Sequence, residues 1–423
     1  MKHECKTWHF DTKNDFFVNL VLSNQKTAVT SLYDENAVPV IGEEAVLIFD
    51  NEKKACVTKT TKVMVTKFKN IPESLSRLEG EGSFEEWKKA RTHALKSVDP
   101  GFCEETKVVF QVFAVTRNLV EERMKLAKSI ARANEDLLGD LGQIYEINAG
   151  YNNSIFCVND RYILKVCGDE QKEELFDVEA NFYRANQGSE NLPFLYRYDP
   201  SKKAAPCVYE ILERIKGKSV YYHWYKMDET QRETLIRELV EVLKKLHAQK
   251  YPAYDWGAYV KERVLADFQK TQDLFCQEEK DLLLASFEKY GRILEENTFC
   301  LVHNDLHFDN ILLDEENHIK LIDFNDSFVA PFDFDLRLFY MSVSLPWKWA
   351  NTEMDPLQKP EDYRNLFFYL KKYYPQLRDV RYLEERMLIY WVLNDFSLLP
   401  RFRDKEGKEQ ILVHSQKILD AKL

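Results

Sequence analysis

The 423 residues include 70 acidic and 59 basic side chains, a formal net charge of −11, with 45% hydrophobic and 30% charged residues. This is the profile of a folded protein of two or three domains and excludes a disordered or fibrous chain. The eight cysteines include no C-x-x-C pair, which argues against structural zinc and a disulfide framework. No apolar run approaches the roughly 20 residues of a membrane span, so a cytoplasmic protein that engages no membrane is expected.

Residues 1–128 carry 20 basic and 19 acidic side chains, leaving 39 and 51 for the remainder. A near-neutral first part can present a local basic patch to RNA or a nucleotide. The acidic remainder is a poor general surface for nucleic acid and favours cationic small molecules. Oligomeric state is not readable from either part.

Up to about residue 117 short β-rich runs alternate with turns. Phe16 to Ser23 reads as a helix, and Ala45 to Phe49, Ala55 to Val65 and Lys107 to Val115 as strands. Ser83 to Leu95 is an amphipathic helix with Ser83 at its cap and Glu86 three residues on. The segments LVLSNQKTAVTSLYDE (20–35), Ile41-Gly42-Glu43 and EGEGSFEEW (79–87) resemble an ASCH domain. That resemblance implies a small PUA-like β-barrel in which Lys26, Thr27, Glu79 and Glu81 share one cleft for RNA or a nucleoside. A nucleoside amidohydrolase is the alternative it implies. Val29 and Arg91 depart from the pattern, standing where the family has Thr and His.

From Asn118 to Leu138 apolar residues recur at helical spacing, with Glu121 and Lys125 placed for an i,i+4 bridge, so a semi-rigid helical linker is expected. Residues 140–167 read as strand, loop, strand, Asn159-Asp160 hairpin, strand. The loop comprises Ala149, Gly150, Tyr151, Asn152, Asn153 and Ser154, whose backbone N–H groups could approach phosphates. Lys165 sits on the third strand, a helix carries Glu174 and Glu179, and Cys207 to Ile215 reads as a buried strand and hinge. Glu233 to His247 shows a broad apolar stripe.

Between Phe299 and Leu336 the apolar runs Cys300 to Val302, Ile311 to Leu313 and Ile319 to Ile322 are too short for helices and read as buried strands. The polar residues between them are therefore held in loops. His303, Asp305 and Asn310 fall in H-x-D-x-x-x-x-N spacing and Asp323 follows the next strand, which brings two carboxylates and an amide toward one point. Such an oxygen set suits a hard cation such as magnesium. His303 reads as a residue hydrogen-bonding the loop, and Asp333 and Asp335 as loop anchors or acceptor-facing groups. The helical tail from 337 is rich in aromatics, among them Trp347, Trp349 and Trp391. With Tyr221, Tyr222 and Trp224 these read mainly as core, or as a box for a cationic acceptor.

This stretch resembles the catalytic and metal loops of the aminoglycoside phosphotransferase and choline kinase family, small-molecule relatives of protein kinases. The resemblance implies an α+β chain in which the barrel precedes a bilobal protein-kinase-like fold, with a small β-sheet N-lobe and a helical C-lobe. It places the limits at 1–117 for the ASCH-like domain, 118–138 for the linker, 139–213 for the N-lobe and 214–423 for the C-lobe. It further implies an ATP- or GTP-dependent, magnesium-dependent transfer of a γ-phosphoryl group to a hydroxyl of a small-molecule acceptor. Asp305 would orient the acceptor, and Asn310 and Asp323 would hold magnesium. Lys165 would grip the phosphates and be held by Glu179. Gly150, Asn152, Asn153 and Ser154 would border the phosphates, and the backbone of Leu212 and Glu213 the base. A catalytically silent, kinase-shaped regulatory or RNA-binding module is the rival reading.

Overall fold

Five strands, β1 (Lys6–Trp8), β2 (Ala28–Leu32), β3 (Glu44–Ile48), β4 (Lys54–Lys67) and β5 (Lys107–Asn118), form the first sheet, in the order β1-β3-β4-β5-β2. Here β1 runs parallel to β3 and every other pair is antiparallel. The long β4–β5 pair carries two register shifts, and such bulges increase local twist and bend the strands. The computed structural model describes residues 6–10, 13–147, 153–295, 298–346 and 354–422.

Two helices cover this sheet. Asn14–Leu22 contributes Phe17, Val18 and Val21 to a core with Leu47, Ala55, Cys56 and Phe113. Phe84–Val98 sets Trp87 and Leu95 against Phe68, Phe102, Val108 and Phe110. The second helix starts where its sequence predicts, with Ser83 and Glu86 in a reciprocal capping box that satisfies two otherwise orphaned donors.

The chain divides into two compact units: residues 1–170 with 199–209, and residues 171–198 with 210–423. In the first, β5 leads directly into helix Leu119–Ala133, whose N-terminus is capped by Asn118 and whose Ala127, Ile130 and Ala131 are buried. The Glu121–Lys125 pair closes at 3.7 Å on its exposed face. The expected helix through Leu138 is interrupted at Asn134. That side chain donates to the Ile130 carbonyl at 2.7 Å and to the Tyr209 hydroxyl at 3.0 Å, giving the backbone an alternative to continuing the helix.

The antiparallel strands β6 (Ile144–Ile147), β7 (Asn153–Val158) and β8 (Tyr162–Cys167) follow. Asn159 and Asp160 turn with φ of 53° each, the conformation of a hairpin turn that these residue types favour. Glu146 on β6 joins the parts of this unit: it meets Lys53 Nζ at 2.9 Å and Arg123 Nε at 3.1 Å. Arg123 also donates to the Lys54 carbonyl at 2.5 Å.

Asn153 and Ser154, read from sequence as loop, open β7 opposite Cys167 and Val166. The polar pair signals a turn locally, but β8 pairs with β7 along its whole length and carries the ladder over it. Gly150 and Asn152 lie outside the described residues, as do Trp347 and Trp349.

In the second unit, helix Glu173–Ala185 precedes a small three-stranded sheet in which β11 (Gly217–Ser219) and β14 (Ile319–Leu321) flank β13 (Ile311–Asp314). Next to it β12 (Phe299–Val302) pairs with β15 (Phe328–Pro331). The expected buried strands thus form within a residue or so of their limits. Gly217 is demanded by close approach, because a Cβ there would stand 2.0 Å from the Leu313 carbonyl oxygen. Leu212 and Glu213 end the strand β10 (Tyr209–Glu213).

Helix Glu229–Leu246 buries Leu235, Ile236, Leu239, Val240, Val242 and Leu243 and ends at His247. Helices Trp256–Thr271, Gln277–Phe287, Arg337–Ser342, Leu366–Tyr373, Leu383–Phe402 and Lys405–Asp420 complete the unit. Its aromatics are chiefly core: Tyr221, Trp224, Phe339, Tyr363, Tyr374, Tyr390, Trp391 and Phe396 are buried, and Trp224 packs on Phe308 with ring centroids 4.5 Å apart.

Candidate active site

The loop between β12 and β13 is held by backbone contacts to buried polar side chains. Asp335, fully buried, accepts the His303 N–H at 3.0 Å, the Asn304 N–H at 2.9 Å and the His247 ring at 3.0 Å. A buried carboxylate is tolerated only when so satisfied. Burial raises its pKa, but the hydrogen bond and charge of His247, with His303 behind them, hold it below the ordinary carboxylate value. His303 Nε2 meets the Ile322 carbonyl at 2.9 Å while its Nδ1 accepts the Asp305 N–H at 3.3 Å. One tautomer serves both contacts, so this histidine braces the loop.

Asp305 and Asn310 are brought together. The Asn310 amide nitrogen donates to the Asp305 carbonyl at 2.8 Å and lies 3.2 Å from its carboxylate. Asn310 is buried, whereas the Asp305 side chain is 44% exposed and meets His307 Nε2 at 3.5 Å. Desolvation pushes the Asp305 pKa up, but His307, then His303 and Arg337, outweigh it and hold the carboxyl well below the usual range. Burial lowers the His307 pKa, and Asp305, Asp309 and Asp323 reverse this, for a net rise. At neutral pH Asp305 is therefore an ionised carboxylate reaching solvent from a braced loop.

Asp323 follows β14 in the left-handed region, φ 68°, a conformation costly for a non-glycine residue and found at sites where the surroundings enforce it. Those surroundings include Glu179, buried, which accepts the Phe324 N–H at 3.2 Å. The Phe324 ring stacks on Phe182 at 3.8 Å. Thus the Glu173–Ala185 helix fixes the turn carrying Asp323. Lys165 is buried on β8 in the first unit.

The residues present fit magnesium by donor chemistry. With its nitrogen committed to Asp305, Asn310 keeps an amide oxygen for coordination, and Asp323 supplies a carboxylate. Among the described residues the one cluster of three His, Cys, Asp or Glu groups is Asp314, Glu316 and His318, at the β13–β14 turn. There Asp314 accepts the Glu316 and His318 N–H groups at 3.1 and 2.8 Å, which is turn chemistry.

In the first unit Lys26, Glu79, Glu81 and Arg91 form a buried, charge-balanced cluster. Lys26 Nζ donates to the Glu79 carbonyl at 2.9 Å and meets the Glu81 carboxylate at 3.3 Å and that of Glu79 at 3.6 Å. Arg91 Nε lies 3.2 Å from Glu79 and Nη2 bonds Glu81. Phe17 lies under both cations, at 4.8 and 5.7 Å. Lys26 is 0% exposed, and desolvation outweighs the carboxylates to lower its pKa.

Gly80, φ 68°, makes the turn possible, since a Cβ there would lie 2.7 Å from the Gln25 carbonyl. Thr27 enters only through its backbone, donating to Leu78 and accepting from Phe113. The hydroxyl in the cluster belongs to Thr30, which donates to Glu79 at 2.5 Å. Strand alternation carried the signal: along β2, Ala28 and Thr30 are buried and Val29 is not.

The profile of the phosphotransferase enzyme family matches residues 143–367, and that of the ASCH domain residues 6–117. The chain belongs to the phosphotransferase enzyme family. An ADP-bound crystal structure of the aminoglycoside phosphotransferase APH(2'')-Ib is similar at 18% identity and a TM-score of 0.50, covering 69% of this chain and 96% of that one. The GDP complex of aminoglycoside 2'-phosphotransferase-IIIa is similar at 15% identity and 0.50, covering 70% and 98%. The fold is thus the kinase-like one of these enzymes. No curated protein matches.

Arg337 carries no signal of its own in the sequence. Its buried guanidinium donates to the Asn304 carbonyl at 2.6 Å and side-chain oxygen at 2.9 Å and lies over the Phe334 ring at 4.0 Å. Asn304, φ 70°, donates in turn to the Asp326 carbonyl at 3.0 Å. Burial pushes the Arg337 pKa down to about 10, so it stays a cation at neutral pH. Arg337→Met should lower kcat about 10- to 100-fold with nucleotide affinity unchanged, since a slightly misplaced Asp305 loses alignment. Steady-state kinetics and calorimetry, with Arg337→Lys as partial rescue, test this; equal losses in both readouts would assign Arg337 to folding alone.

Asp333 and Asp335 are both buried, so neither faces an acceptor. Asp335 anchors the loop as described, and Asp333 pairs with Arg386.

Proposed function

We propose that this chain is an ATP- or GTP-dependent phosphotransferase that moves a γ-phosphoryl group to a hydroxyl of a small molecule. The observation that carries the reading is the ionised, half-exposed Asp305 on a loop braced by Asp335, with Asn310 turned onto its backbone. In this reading Asp305 accepts the acceptor's hydroxyl proton as the new P–O bond forms and the nucleoside diphosphate leaves. Asn310 and Asp323 would hold magnesium, which when bound neutralises charge on the phosphates. Lys165 grips the phosphates, and Glu179 holds the turn that carries Asp323. Asn153 and Ser154 border the phosphates, and the backbone of Leu212 and Glu213 receives the base.

The functional division runs 1–117, 118–138, 139–213 and 214–423, the first part being a PUA-like domain. The acceptor class is an aminoglycoside-like or choline-like amine, or a nucleoside. Similarity to ADP- and GDP-bound aminoglycoside phosphotransferases supports the nucleotide and a small acceptor, and the acidic remainder of the chain favours a cation.

For the ASCH domain we infer binding of RNA or a nucleoside rather than hydrolysis, because both carboxylates of the cluster are paired with Lys26 and Arg91, leaving Lys26 no free role as base or nucleophile. The test is calorimetry with ATP and GTP, with and without magnesium, followed by transfer of labelled γ-phosphate to a panel of aminoglycosides, amines and nucleosides. Magnesium-dependent nucleotide binding with label in at least one acceptor is expected. Absence of nucleotide binding would leave the silent regulatory reading in its place.

A further inference from the structure

Helix Arg337–Ser342 has two differently occupied faces. Phe339 packs on Phe308 of the catalytic loop, ring centroids 5.5 Å apart, while Leu338 and Met341 pack on Trp391, with Tyr340 and Leu345 alongside. On the Trp391 side a cavity of about 390 Å³ opens among helices Arg337–Ser342, Leu366–Tyr373, Leu383–Phe402 and Lys405–Asp420. None of its lining residues belongs to the catalytic or metal loops. Its size falls in the range of small-molecule sites, roughly 300–1,000 Å³.

The lining has a chemical bias. Arg364, His414 and Lys417 contribute nitrogen, and no Asp or Glu is among the lining residues, in a chain whose net charge is −11. Arg364 and Lys417 are both exposed to solvent at the rim, and Lys417 has no ion-pair partner among the described residues. Between them stands an aromatic wall. Tyr340 meets Phe367 edge-on at 5.0 Å, and Trp391 lies 4.4 Å from the His414 ring. Trp391 is 5% exposed and its Nε1 donor has no acceptor among the described residues, a state that native interiors rarely leave unanswered. The adjoining carboxylate, Glu384, is engaged by Tyr340 and by Lys371 at 2.8 Å.

We propose that this cavity is a second ligand site, for an organic anion carrying an aromatic ring, such as an aryl phosphate. The ring lies against Tyr340, Phe367 and Trp391, and the anionic group sits between Arg364 and Lys417. The site stands apart from phosphotransfer and does not depend on it. It is one helix away from the catalytic loop, and that helix begins with Arg337, the residue holding Asn304.

Phenyl phosphate, titrated calorimetrically into the full chain with tryptophan emission followed in parallel, tests the assignment. Saturable one-to-one binding is expected. Arg364→Glu and Lys417→Glu should each weaken it about tenfold or more, as charge-assisted hydrogen bonds do when lost, and Asp323→Asn should leave it unchanged. Both cations are exposed, so the variants should keep the wild-type Tm, which is measured alongside. Inorganic phosphate should bind more weakly than phenyl phosphate. Absence of saturable binding, charge reversals that bind as wild type, or loss in Asp323→Asn would each overturn the proposal, the last by moving the ligand to the catalytic loop. Equal affinity for inorganic phosphate would overturn the aromatic half of it.

Discussion

Asp305→Asn should reduce γ-phosphoryl transfer about 10²- to 10⁴-fold, the usual contribution of a positioned proton acceptor, while nucleotide affinity and Tm stay close to wild type. The substitution keeps the shape and leaves the backbone carbonyl that Asn310 grips at 2.8 Å, so the loop should persist. What it removes is the negative charge at Oδ2, 3.5 Å from His307, and with it the capacity to take a proton. Asp323→Asn makes the informative contrast. In the proposed arrangement it should weaken magnesium-dependent nucleotide binding as well as transfer, because Asp323 acts on the metal and Asp305 on the acceptor. Single-turnover transfer and calorimetry with magnesium and ADP separate the two. If Asp305→Asn transfers within a few-fold of wild type, the proton acceptor lies elsewhere.

The contrast between these residues and the rest of the site explains what could be read in advance. Asp305, Asn310 and Asp323 lie within nineteen positions of one another on segments whose apolar runs are too short to be helices, so spacing alone places them on neighbouring loops. Ser83 and Glu86 are similarly local, and their capping box forms as read.

Arg337 was illegible because nothing in its own segment marks it. It reaches Asn304, 33 positions earlier, only because the turn at Phe332–Leu336 folds back under the loop. Thr30 was legible in principle, one residue of alternation from Val29, but a hydroxyl in that segment looks the same in sequence whether it faces core or solvent. Asn153 and Ser154 show the opposite failure, where a correct local turn signal yields to pairing with β8.

Arg386→Met should cost about 3–5 kcal/mol, the range for stranding one member of a buried ion pair. Arg386 and Asp333 are each 1% exposed and joined by two hydrogen bonds of 2.8 and 2.9 Å. The guanidinium also reaches the Tyr390 hydroxyl at 3.2 Å and the Glu295 carbonyl at 3.3 Å, and Tyr390 receives the Trp256 indole N–H at 3.1 Å. Methionine fills the volume but leaves the Asp333 carboxylate, among the described residues, with only the Tyr390 hydroxyl, at 3.1 Å. For a unit of this size the loss corresponds to a fall in Tm of about 6–20 °C, read by calorimetry.

Removing the charge on both sides, in Asp333→Asn with Arg386→Met, should recover part of that loss, because no ion is then buried unpaired. The pair sits at the base of the turn whose next carboxylate, Asp335, holds the loop carrying Asp305, so in the proposed reading Arg386→Met should also lower transfer at temperatures below its own Tm. A double variant no more stable than the single would mean the penalty comes from lost packing around Tyr390 and not from the abandoned carboxylate.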